Sequence, residues 1–357
     1  MVQLVNFGVG ALSWYLLGYA FSFGASLDTR LKNRFIGNYV FALHRIREAN
    51  HNTTSYGYAW FLQQFFYAMV CNAIVAEALG LKASTVAHVL STIYTVSFLF
   101  PVIAHWVWSS EGWLSAIRPE DQPPVGTIGA VDFAGSGVVH LLGASISLAA
   151  SLFLRKAQAP KAAAEDQTVM TLGSFLRVFA MYSFVTGSSI SIQAGNLDIS
   201  IFNSVQTALG VSNFPISDAN DSSMYIAVGR AAVCLTLSIA ASALTVLLLE
   251  SLASKEVNLT HAVNGLTIGF VAISSNILTC EPWAALIAGL VAGMIYVGGR
   301  RGCKKLGDSD VFVMHGLGGI WGLLFTGFLA KPKFLRDVIG INFYPARMLI
   351  SQTKGWK

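Results

Sequence analysis

The chain has 357 residues, of which 54% are apolar before its 33 glycines are counted and only 11% are charged. Soluble domains carry about 25% charged residues, and a water-exposed surface cannot be assembled from so few; the mean hydropathy of +0.59 agrees. This excludes a disordered chain, a nucleic-acid-binding domain and an ordinary cytosolic enzyme, and leaves a polytopic membrane protein. The net charge of +5 comes from Lys and Arg in connectors, where juxtamembrane basic residues belong. Cys71, Cys234, Cys280 and Cys303 are scattered, with no CxxC and no metal-ligand spacing. No basic segment precedes the first apolar stretch, which reads as a membrane helix rather than a cleavable leader.

A helix needs about 20 apolar residues to cross a bilayer. Nine stretches qualify, near 3–24, 57–79, 84–108, 132–154, 168–194, 224–249, 258–278, 282–299 and 311–330. Four of them lie in segments with no Asp, Glu, Lys or Arg: Val2–Leu27, Ala83–Ser110, Phe133–Leu154 and Val257–Cys280. Arg177 interrupts the fifth, and Arg230 opens the sixth. Barrel strands are excluded, since they are about ten residues long and alternate at period two. Residues 1–331 read as one transmembrane domain, and 332–357 as a short basic tail that does not span. With nine spans the two ends fall on opposite faces. The connectors of one face carry 9 basic residues and those of the other 6, or 12 with the tail. This bias and the sequons at Asn52 and Asn220 favour the first face as cytoplasmic, while the tail and the sequon at Asn258 oppose it.

Ionisable groups inside a bilayer are costly and mark function by default. Of the seven histidines, His44 and His51 lie in a polar connector, and His88, His105 and His261 near span ends, where structural hydrogen bonding accounts for them. His140 and His315 lie well inside apolar runs. Their contexts are Asp132-Phe-Ala-Gly-Ser-Gly-Val-Val-His140-Leu-Leu-Gly and Asp310-Val-Phe-Val-Met-His315-Gly-Leu-Gly-Gly. Each has an acid at the helix start, then apolar residues, then His with a nearby glycine, and they lie five helices apart. That spacing fits an internal repeat, whose interface near the midplane is where function sits. Pattern alone leaves three readings open: facing pore histidines, axial haem ligands and structural hydrogen bonding.

These motifs resemble those of the ammonium transporter family, which includes the Rhesus glycoproteins. The two histidine segments match, as do Gly18-Tyr-Ala-Phe-Ser-Phe-Gly24, Pro101-Val-Ile-Ala-His-Trp-Val-Trp108 with Gly112-Trp113-Leu114, and Glu281-Pro-Trp-Ala-Ala285, in the right order from residue 1 to about 330. The resemblance implies an all-α membrane bundle with two inverted five-helix repeats, assembled as a homotrimer with one pore per subunit, and no cofactor. It implies that His140 and His315 are the twin pore histidines. Asp132 would organise the outer cation site, Trp108 and Ser188 would form it, and Phe184 with Tyr67 (or Phe66) would be the stacked gate. The implied substrate is ammonium or ammonia, with methylammonium as analogue, carried in a multi-pass protein of the cell membrane. The residue types suit that chemistry: an indole face attracts a cation by about 1–2 kcal/mol when partly desolvated, and an aromatic gate excludes hydrated ions.

The chain also departs from the family pattern. Nine spans stand where the family has eleven, as if the chain began at the second helix and stopped after the tenth, and the second span looks one turn short at Ile74-Val-Ala-Glu77. Met181 stands where Trp is usual and Val185 where Asn is usual. These departures support an alternative, a non-transporting member acting as sensor or assembly partner, or an inactive truncated product.

Overall fold

A computed structural model describes residues 2–24, 33–44, 57–116, 129–154, 167–196, 219–255, 259–303 and 309–339. The sequons at Asn52 and Asn258, His51 and the tail beyond residue 339 lie outside them. The described residues form a helical bundle. We number its helices α1 (Val2–Phe23), α2 (Gly57–Leu79), α3 (Thr85–Trp108), α4 (Ser136–Phe153), α5 (Gln167–Asn196), α6 (Ala219–Ser254), α7 (Leu259–Ser274), α8 (Pro282–Gly302) and α9 (Phe312–Leu329), with a short α10 (Pro332–Ile339). Eight of these are long and apolar enough to cross a bilayer. Helix α7, at 16 residues, is the short one, because the chain leaves the helix at Ser274 and runs through turns to Cys280. Every span expected from the sequence is therefore a helix, and the chain is a multi-pass membrane protein.

Local chemistry sets the helix ends. Ser84 caps α3 by accepting from the Ala87 N–H at 3.2 Å. Pro282 opens α8, where its missing N–H costs nothing, and Arg300 and Arg301 close it against the negative end of the helix dipole. Pro101 lies inside α3, and the π-helical turn Thr95–Leu99 lies just before it. A proline mid-helix removes a backbone hydrogen bond, and a widened turn absorbs the mismatch. Similar π turns occur at Trp14–Gly18, Ser136–Leu141 and Phe312–Leu317. The last two contain His140 and His315, so the internal repeat extends to backbone form.

Glycine and serine govern how the helices meet. A Cβ on Gly269 would come within 2.7 Å of the Ser238 carbonyl oxygen, and one on Gly289 within 2.2 Å of the same atom. Four residues on, Gly293 would meet the Ser242 oxygen at 2.8 Å; on α7, four residues back, Gly265 would meet Ala243 Cα at 2.9 Å. Helices α7 and α8 thus both lay small-residue stripes on α6, at the spacing that lets backbones touch in lipid. The same device joins α4 to α9: Gly319 stands against the Ser136 carbonyl and Gly322 against its hydroxyl, at 2.5 and 2.6 Å from where a Cβ would be.

Two large apolar cores result, with smaller clusters around Tyr296 and around Ile74. One is built from α1 to α4 around Trp14, Tyr67, Phe100 and Val138. The other is built from α5 to α10 around Leu235, Ile277, Phe325 and Leu335. Phe184 packs against both, at the seam. Hydrogen bonds stitch that seam: Ser136 Oγ donates to Val271 O and accepts from Ser275 N, both at 2.7 Å, and Ala134 N donates to Ser274 O at 3.0 Å. Helix α10 lies on the second core, with Leu335 only 2% exposed and Phe334 under the Arg230 guanidinium at 3.5 Å.

Two glycines of α8 separate packing from propensity. Gly289→Ala forces the α6 and α8 backbones apart and should cost about 1–3 kcal/mol. A methyl added at Gly298 would have nothing within 4 Å of it, so Gly298→Ala should be neutral or stabilising by up to about 1 kcal/mol. Thermal unfolding in detergent, followed by loss of monodisperse elution, distinguishes the two.

Candidate functional site

The seven residues singled out from the sequence all lie among the described residues, on α2, α3, α4, α5, α9 and the segment before α4. The π turns at the starts of α4 and α9 bring His140 and His315 face to face. Their Nδ1 atoms are 3.2 Å apart and the rings lie nearly parallel, 5.1 Å between centroids at 15°. The two side chains are 1% and 7% exposed. Because both Nδ1 atoms share one hydrogen bond, one ring donates there and the other accepts. The donor ring then has a lone pair at Nε2, and the acceptor ring an N–H at Nε2. The couple therefore offers one acceptor and one donor edge while both rings stay neutral. His140 Nε2 is buried and has no hydrogen-bond partner among the described residues.

Aromatic rings cover this pair on one side. Tyr67 and Phe184 are in contact at 4.2 Å between centroids but tilted by 42° rather than stacked, and the Tyr67 hydroxyl donates to the Phe184 carbonyl at 3.1 Å. Phe184 reaches His140 at 6.3 Å. Of the two rings considered for the α2 position, Tyr67 is 1% exposed and meets Phe184, whereas Phe66 is 46% exposed and packs on Phe65. Sequence reasoning missed Phe270 of α7, which stands edge-on to His140 at 5.4 Å and to Phe184 at 5.5 Å. It lies in an uninterrupted apolar run where no local signal singles it out.

Beyond the aromatic pair lies Trp108, 5.5 Å from Tyr67. Its indole N–H donates to the Asp132 carbonyl at 2.6 Å, which fixes the ring at the end of α3. The Asp132 side chain does not touch the indole N–H. Its Oδ2 accepts from the Gly137 and Val138 N–H groups, both at 2.9 Å, and so caps the start of α4. The carboxylate is 4% exposed, and among the described residues no lysine or arginine forms an ion pair with it. Ser188 is fully buried; its hydroxyl donates to Val185 O at 2.7 Å and also lies by the Tyr67 phenol. Met181 and Val185 are buried in the apolar core beside these groups.

Three further histidines make structural contacts. His88 bonds to Gly80 O at 3.0 Å, and His105 lies between Ser22 O and Asn33 O at 2.9 and 2.7 Å. His261 meets Tyr296 and Arg300 at the opposite end of the bundle from Asp132. Asp310, the counterpart of Asp132 in the second repeat, is paired with Arg300 at 3.2 Å. The two acids at the starts of the histidine helices thus differ: one is neutralised by a guanidinium and the other is held by backbone N–H groups.

The bundle is similar to solved structures. It matches Mep2 of Saccharomyces cerevisiae with a TM-score of 0.72 at 20% identity, over 94% of this chain and 69% of that one. It matches a sensor Amt protein equally well, at 21% identity over 95% of this chain and 77% of that one. Among curated sequences it is 32% identical to the putative ammonium transporter 1 member 5 of Arabidopsis thaliana, over 96% of this chain and 65% of the relative. It is also 32% identical to ammonium transporter 1 member 3 of Solanum lycopersicum, over 94% of this chain and 68% of the relative. The chain thus spans about 65% of the length of its first curated relatives. The family model of the Ammonium Transporter Family matches residues 1–354. With a bundle of that fold and the family pattern running along nearly its whole length, the chain belongs to the Ammonium Transporter Family.

Proposed function

We propose that this chain conducts ammonium nitrogen across the membrane, shedding the proton behind the Tyr67–Phe184 pair and passing ammonia along the two imidazoles. The observation that carries this reading is the buried Nδ1···Nδ1 contact of 3.2 Å between His140 and His315, with the Tyr67 and Phe184 rings in contact beside it. A charge past the rings costs from about 3 to over 10 kcal/mol near the bilayer centre. Lowering an amine pKa from about 10 to about 6 takes about 5 kcal/mol, within that penalty. Ammonium escapes the cost by releasing a proton, and potassium has none to release. Selectivity then needs no size filter.

Each group has a role in this scheme. Trp108 presents an indole face to the arriving cation, and Ser188 a hydroxyl oxygen. The Asp132 carboxylate, with its charge unpaired, adds a favourable field from behind the α4 N-terminus. The histidine couple meets ammonia with one acceptor and one donor, which matches a molecule that has N–H bonds and a lone pair. Assembly as a homotrimer is part of this reading.

A second reading, a member that senses or assembles without transport, is favoured by the apolar Met181 and Val185 beside Ser188. One of the folds the chain resembles is a sensor Amt protein. Uptake separates the two.

In cells lacking their own ammonium transporters, the chain should drive saturable methylammonium uptake. The double variant His140→Ala with His315→Ala should reduce it at least tenfold, towards background. Asp132→Asn keeps a carbonyl oxygen to cap α4 but removes the charge, and should raise the apparent KM more than it lowers the maximal rate. Intact expression with no uptake by the unaltered chain would select the sensor reading.

A further inference from the structure

Arg177 stands near the middle of α5, within the apolar span Thr168–Ser188. A guanidinium at that depth is costly and calls for a reason. Leu176 beside it is 61% exposed, and Phe175 and Phe179, two residues to either side, are each 72% exposed. At about 100° per residue, Arg177 lies about 200° round the helix from both. It shares its stripe with Met181, Phe184 and Ser188, at the i, i+4, i+7 and i+11 positions that carry the gate ring and the hydroxyl. Phe184 is seven residues further on, about 10 Å along the axis, so Arg177 sits on the inner side of the gate.

Its contacts lie there too. Arg177 Nη1 donates to Thr267 Oγ1 at 3.0 Å. Thr267 is one turn from Phe270 on α7, the ring that stands against both His140 and Phe184. The guanidinium is close enough to His315 for its charge to be felt at that ring. Among the described residues no carboxylate forms an ion pair with Arg177, and the residue is exposed. Its hydrogen-bond partner Thr267 is a neutral hydroxyl, so no described counter-ion balances the positive charge within the span.

We propose that Arg177 is a fixed positive charge beside the inner half of the route, and that it bars cations from this chain while admitting ammonia. The inference rests on the transport reading above and specifies its substrate form. Ammonium gives up its proton at the gate; the proton returns to the solution it came from, and neutral ammonia continues past the histidines. The balance is one NH3 moved, one proton left behind and no net charge carried. A second cation near Arg177 would meet like-charge repulsion at the short range of a narrow route.

Purified protein reconstituted in liposomes tests this with two readouts after an ammonium pulse. A pH dye inside reports ammonia entry as alkalinisation, and a supported-membrane electrode reports charge movement. The unaltered chain should alkalinise the lumen faster than protein-free liposomes do, without a sustained current. Arg177→Leu should produce a current that rises with ammonium to at least about tenfold above the unaltered chain. Arg177→Gln, which keeps a donor for Thr267, should do the same, and Arg177→Lys should stay silent. A current in the unaltered chain of one charge per nitrogen moved overturns the inference. So does alkalinisation without current in both neutral variants. If the unaltered chain adds nothing to protein-free liposomes, the transport reading falls first and this inference with it.

Discussion

The site depends on one close approach, the crossing of α4 and α9. Lipid tails are as apolar as leucine, so area burial gives these helices little reason to associate. They meet because Gly319 and Gly322 let the α9 backbone lie on Ser136, and Ser136 commits its hydroxyl to Val271 and Ser275 of the neighbouring segment. A methyl at either glycine would fall within 2.6 Å of a Ser136 oxygen. The imidazoles reach across a gap that only glycine permits, and the π turns of both helices aim them at each other. The contact between His140 and His315 is thus a consequence of backbone packing rather than of attraction between the rings.

Charge within the bundle is distributed unevenly. The acid at one end, Asp310, carries its own cation in Arg300, which His261 also grips at 3.0 Å. The acid at the other end, Asp132, is held by the N–H groups of Gly137 and Val138 and forms no ion pair with any described side chain. Backbone capping fixes a carboxylate without neutralising it, so the same group can hold a helix end and project a field. The two histidine helices thus differ at their starts, one acid ion-paired and the other capped by backbone alone.

The aromatic layer links the halves of the molecule. Phe184 packs against both apolar cores, and Tyr67 is tied to it through a ring contact at 4.2 Å and a hydrogen bond to its carbonyl. The two rings thus join the cores beside the histidines. Met181 and Val185 fill the space beside Ser188 with apolar atoms, which keeps that side of the site dry but supplies no hydrogen bonds.

The amino-acid sequence alone determined the class of the molecule and most of the spans, because a bilayer imposes a length and a composition that can be counted directly. It also singled out His140, His315 and Asp132, since an ionisable residue in an apolar run has no cheap explanation. The tertiary structure decided the rest. Only the folded chain chose Tyr67 over Phe66, since neighbouring residues on a helix point about 100° apart and only Tyr67 turns inward to meet Phe184. It placed Phe270 in the site from an anonymous apolar run, ended α7 at Ser274, and showed the Trp108 indole N–H bound to the Asp132 backbone. Arg177 was visible as an interruption of its span, but its neighbours Thr267 and His315 are 90 and 138 residues away along the chain. Pattern along one helix gives a residue's depth and face; what it meets there is set by packing between helices, which no local spacing encodes.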